Sequence, residues 1–265
     1  FDSETLVADS PLINEFAWVS FSPLGQSLLA NGLFHAEALS GAYAPQGIGL
    51  RLGLATAIMM IAVIGGRIIP SFTRNWLAKQ GNPARPAPPM QRFDKLVLLA
   101  SIAILALWVA RPFETGTGAA LLAFGVLHLA RQARWQPHHT LQEPLLWVLH
   151  AAYLFLPLGA LALGLDQVMG QPGTAGAQHL WMAGAIGGMT LAVMTRASLG
   201  HTGQALTANR ATLAIYLCLF ASVLARFGAS VHLGLMHLSG ALWLAAFAGF
   251  VLAYGPSLLR PKPGK

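Results

Sequence analysis

Charge is what this sequence has least of. Only 9% of its 265 residues are Asp, Glu, Lys or Arg, against about 25% in soluble domains, and that scarcity excludes a water-soluble globule. Cysteine is nearly absent. Cys218 stands alone inside an apolar run, so neither an internal disulfide nor a CxxC metal cluster can form. A Walker loop, a dinucleotide fingerprint between strand and helix, and a GxSxG elbow are also missing, which leaves phosphate cradling and acyl transfer without support. The opening FDSETLVADSPLINEF has no basic stretch followed by an apolar core and does not read as a signal peptide. Starting at Phe1, the chain reads as part of a longer gene product.

What is present is apolar. Hydrophobic residues make up 55% of the chain and fall in runs close to the roughly 20 residues a bilayer-spanning helix needs. Seven runs, over residues 48–70, 94–111, 117–134, 144–165, 178–196, 209–227 and 234–258, predict an all-α polytopic transmembrane bundle. Pro70 is read as the end of the first span. The stretch 16–34, interrupted by Pro23, Gly25, Gln26 and Asn31, predicts an interfacial or partial helix. Residues 1–265 read as one transmembrane domain, with a proline-rich loop at 79–93.

Orientation follows from the basic residues, which accumulate on the cytoplasmic side. Of 16 Lys and Arg, only Arg51, Arg111 and Arg226 fall on the other side once the spans are drawn. This puts the C-terminus and the proline-rich loop in the cytoplasm and residues 1–47 on the periplasmic side of a cell inner membrane. The formal charge of +7 is then a matter of topology, and the partner it implies is the lipid bilayer, not nucleic acid.

Histidine is the unusual residue: nine occur beside only nine carboxylates, and ionisable groups in a bilayer point to function. His179 and His237 begin spans that both run inward from the outer face. With His232 and His35 they suggest an outer cluster. A His-only site, or one completed by Glu37, favours copper or haem iron over structural zinc; the alternative is a set of histidines wetted by headgroups. On the inner side His128 and His150 lie about 9 Å deep on consecutive helices, where two imidazoles could hold a haem between them; ordinary interhelical hydrogen bonding is the other reading. Arg67 in GGRIIPSFTRN and Arg196 in MTRASLGHTG could pair with haem propionates. His201, flanked by Gly200 and Gly203, could turn back towards the bundle as a further metal ligand. His138 and His139 read as solvated loop residues. Gly184 and Gly188 form a GxxxG packing face, and Met182, Met189 and Met194 read as gap-fillers.

Two of these segments, GGRIIPSFTRN (Gly65 to Asn75) and HLWMAGAIGGMTLAVMTRASLGHTGQAL (His179 to Leu206), in this order, resemble the NnrS family. The resemblance extends from about Leu33 to Leu252 and takes in FHAEALSG, the His150 helix and MHLSGALW. It implies a bacterial inner-membrane protein that contains haem and copper and serves the nitric oxide response in denitrifying or nitrosatively stressed cells, with nitric oxide as a ligand and an unspecified redox partner. Family members are longer, with about twelve spans, so the chain would be the C-terminal two-thirds. Gln204 departs from the basic residue expected after GHTG. Whether such a protein turns over a substrate is left open by the sequence. A transporter, disfavoured by the lack of an inverted repeat, and a structural subunit without redox cofactor are the alternatives.

Overall fold

The computed structural model describes residues 22–41, 47–170 and 175–259. Among them there are eight helices and no strand. The first, α1 (Pro23–Leu39), is opened by Ser22, whose hydroxyl accepts from the Gly25 N–H at 3.1 Å, with Pro23 in the first turn where its missing N–H is harmless. It lies against α2, which runs from Ile48 to Lys79. Glu37 joins the two: its carboxylate accepts from the backbone N–H groups of Ile48 (2.7 Å) and Gly49 (3.2 Å) and so caps the positive end of α2. Gly49 permits the approach, since a Cβ there would lie 2.7 Å from the Phe34 Cα.

The remaining helices are α3 (Arg92–Ala110), α4 (Thr115–Ala133), α5 (Pro144–Val168), α6 (Ala175–His179 continuing through Leu180–Gly187 and Gly188–His201), α7 (Arg210–Gly228) and α8 (Gly234–Leu259). Five helices, α2, α3, α5, α7 and α8, are long and apolar enough to cross a membrane. The sequence predicted seven spans. The two that fall short, α4 and α6, are diluted by polar and small residues: Thr115 to Gly118, His128 and Gln132 in α4, and the glycines and His179 of α6.

Pro70 does not end the first span, contrary to expectation, because α2 continues nine residues past it to Lys79. A π turn, Ile61–Gly65, precedes Gly66. Proline lacks a donor and crowds the carbonyl four residues back, here that of Gly66; an adjacent π segment is the usual place for a helix to absorb such an irregularity. A second and longer π segment, Leu180–Gly187, interrupts α6.

The most buried helix is α5, and the others are gathered around it. Close approach is made by glycine. Gly118 of α4 meets the Gly164 carbonyl of α5, a Cβ at either position falling within 3 Å of the other backbone, while Gly184 and Gly188 of α6 lie on Phe155 and Ala152 of α5. The GxxxG is thus ordinary helix packing, as the sequence indicated. At the other edge α7 and α8 pair through Ser239, which donates to the Ser222 carbonyl at 2.8 Å, and through a Thr212–Tyr254 hydroxyl contact of 2.5 Å.

Candidate functional site

One cluster of polar side chains is wholly buried in the bundle, and it centres on Arg131. Its side chain is 0% exposed and that of Asp94 1% exposed, with Arg131 Nε donating to Asp94 Oδ1 at 2.8 Å. The other Asp94 oxygen accepts from the Gln91 N–H at 3.0 Å, within a capping box that starts α3. Arg131 Nη1 donates to the Ala62 carbonyl (2.8 Å) and to Tyr153 Oη (3.1 Å). The Ala62 carbonyl sits in the π turn of α2, where the Gly66 N–H bonds to Ile64 instead, leaving this carbonyl open to a donor from another helix. Gly66 supplies the room, since a Cβ there would lie 2.6 Å from Arg131 Cζ. The Trp135 ring completes the enclosure, its centroid 5.4 Å from the guanidinium carbon.

The cluster continues from Tyr153 as a directed chain of hydrogen bonds. Ser101 Oγ donates to the Val97 carbonyl at 2.7 Å, so its lone pair accepts from His128 Nε2 at 2.9 Å. His128 Nδ1 therefore carries the lone pair and accepts from Tyr153 Oη at 2.9 Å, and Tyr153 Oη in turn accepts from Arg131. Four helices, α2 to α5, are joined by this one network. His150 follows the same logic one turn away: Thr73 Oγ1 donates to the Ile69 carbonyl and accepts from His150 Nε2 at 2.9 Å, while His150 Nδ1 and Arg131 Nη2 are buried without a hydrogen-bond partner among the described residues.

His128 and His150 are thus both buried, as their sequence depths implied, but the space between them is filled. Trp135 and Tyr153, each fully buried, pack edge to face with centroids 4.7 Å apart, and each contacts one or both imidazoles. With both ring nitrogens of His128 bonded to hydroxyls, this packing does not accommodate a haem held between the pair.

The predicted outer histidines lie elsewhere and apart from this cluster. His35, His232 and His237 are exposed, His232 Nδ1 accepting from the Gly234 N–H at 3.2 Å, and the separately predicted His201 is exposed at the last residue of α6, just before the turn at Gly203 (φ +69°). His179 is half-buried in the first turn of α6, and its Nδ1 donates to the Ala175 carbonyl at 2.6 Å, which leaves Nε2 as the lone-pair nitrogen. Among the described residues no three His, Cys, Asp or Glu side chains converge as a metal site, and Glu37 is occupied in capping α2. Arg67 is exposed and makes no side-chain hydrogen bond to the described residues, whereas Arg196 lies 4.6 Å over the Phe72 ring and donates to the Leu145 carbonyl at 3.3 Å. His138 and His139 stack on each other in a short 3-10 turn, Pro137–Thr140.

Sequence reasoning missed Asp94, Arg131, Tyr153, Ser101 and Thr73 as members of one site. It counted Arg131 among the topological charges and did not single out Asp94. A usable signal was the spacing of Arg131 three residues after His128, which places both on one face of α4.

The NnrS protein family matches residues 17–262, nearly the whole chain. The chain therefore belongs to the NnrS family. No similar protein was found among curated proteins, and no solved structure matches.

Proposed function

From this membership of the NnrS family, we propose that the chain is an integral membrane protein of the nitric oxide response in the bacterial inner membrane. The observation that carries the reading is the family match over residues 17–262, in a chain whose helices include five apolar enough to span a bilayer. In this reading α4 and α6 also cross, making seven spans. The C-terminus is cytoplasmic and residues 1–47 are periplasmic. Nitric oxide, which is small and uncharged, could reach the protein through the bilayer.

Copper is proposed at the half-buried His179 and the exposed histidines, not in the buried cluster. His179 supports this, because a metal-ligating imidazole commonly donates its second ring N–H to a carbonyl, the arrangement its Nδ1 has with Ala175. His35 and His237, with exposed rings, are the further candidates on that side, whereas His201, 22 residues further along α6 and so roughly 33 Å away, would serve a separate site at the other end. When bound, copper would supply a centre for nitric oxide binding or electron transfer, and the chain's own part is to orient the His179 ring.

A second reading, a cofactor-free structural bundle, is favoured by the bonding of His128, whose two ring nitrogens are both used within the protein. Metal analysis and an optical spectrum of the detergent-purified protein, oxidised, reduced and with nitric oxide, separate the two. Stoichiometric copper that falls in His179→Ala and His237→Ala but not in His138→Ala or His139→Ala supports the metal reading. A folded, metal-free and colourless protein supports the structural one.

A further inference from the structure

An apolar groove of about 430 Å³ runs between α2 and α6, alongside both π segments. Met60, Ile64 and Ile68 form one wall and Ile186, Met189 and Val193 the other; Thr190 supplies the only polar side chain, and no charged residue lines it. Its mouth is open sideways, because Ile64, Thr190 and Val193 are all exposed. At roughly 10 Å across and 5.4 Å per turn, a helix would fit only about one turn into this volume. The shape suits an extended chain instead.

The groove has a marked end. Gly65 abuts Met189, and Arg196 covers Phe72, so the two helices run parallel with a constant offset, and Arg67 and Arg196 lie towards the same end of the groove, about five residues or ~7 Å apart in level. At ~1.5 Å per residue Arg67 stands roughly 28 Å along α2 from Ile48, about the thickness of the hydrocarbon core. With Ile48 at the outer boundary of the proposed span, two guanidiniums, one of them free of side-chain partners among the described residues, fall near the inner headgroup layer at this end of the apolar groove.

We propose that the groove between α2 and α6 binds an anionic bilayer phospholipid, one acyl chain lying along Met60, Ile64, Met189 and Val193 and the phosphate held by Arg67 and Arg196. Guanidinium suits phosphate through charge-assisted, paired hydrogen bonds, and the inference rests on the proposed membrane placement, in which the open mouth faces hydrocarbon.

The test is native mass spectrometry of the detergent-purified protein equilibrated with equal amounts of phosphatidylglycerol and phosphatidylcholine. The wild type is expected to retain one phosphatidylglycerol in preference to phosphatidylcholine. Arg67→Gln, at an exposed position that leaves the fold intact, should reduce that preference roughly tenfold or more, and Thr190→Trp should abolish retention of either lipid with the thermal midpoint unchanged. Equal retention of the two lipids by wild type and Arg67→Gln overturns the proposal. So does a lipid-free wild-type dimer that Thr190→Trp converts to monomer, which would make a second copy the occupant.

Discussion

Replacing Asp94 by Asn tests whether the Arg131 cluster holds the bundle together. The amide keeps the shape of the carboxylate and an oxygen for the Gln91 N–H, so the α3 cap survives. What it removes is the charge opposite a guanidinium that has no access to solvent. Breaking one partner of a buried ion pair costs about 3–5 kcal/mol, because the remaining charge is stranded, whereas removing both partners is often neutral. At roughly 2–4 °C per kcal/mol for a chain of about this size, Asp94→Asn should melt roughly 10 °C below wild type in detergent, followed by tryptophan fluorescence. Arg131→Met should do the same or worse, since it also releases the Ala62 carbonyl and Tyr153. The double variant should melt nearer to wild type than either single one. Asp94→Asn melting within about 2 °C of wild type would refute the argument.

Gly66→Ala should destabilise more than Gly65→Ala, because the first methyl meets the pinned guanidinium, 2.6 Å from Arg131 Cζ, and the second meets the Tyr153 ring edge at 3.2 Å and the end of Met189 at 3.6 Å; parallel melts check the order. Tyr153→Phe removes the acceptor of Arg131 Nη1 and the donor to His128 Nδ1, a loss of about 1–3 kcal/mol that the same melt should register as several degrees. A periplasmic reporter fused at Gly81 should be inactive; activity there would invert the proposed orientation.

The sequence reveals α2, α3, α5, α7 and α8 because each carries an uninterrupted apolar run, which is the same property that makes it a candidate span. It places His128 and His150 well inside their helices for a similar reason, since position is counted along a helix, and both are buried in the bundle. It does not reveal what those imidazoles face. Trp135 lies beyond the end of α4, and the sequence gives no sign that it folds back between them. Pro70 misleads because the compensation lies in a π turn five to nine residues earlier, a feature with no residue signature of its own. Arg131 reads as a topogenic charge because its partners, Asp94 and the Ala62 carbonyl, are 37 and 69 residues away.

The pairing of Arg131 with Asp94 also bears on how the chain enters the bilayer. Asp94 in the first turn of α3 and Arg131 in the last turn of α4 lie at the same end of two antiparallel neighbours, where an unpaired charge opposes insertion by less than the about 2.5–3.5 kcal/mol it costs at a helix centre; α4 is nonetheless short of the apolarity that the five candidate spans possess. Its neighbour α3 is made first and carries the compensating carboxylate, with only Arg111 to Glu114 between the two helices. Integrated together as a hairpin, the two helices present one neutral pair to the lipid instead of two opposite charges. A truncation that ends the chain after α4 should therefore insert it more efficiently with Asp94 than with alanine in its place, so that the residue which secures the finished bundle also assists its assembly.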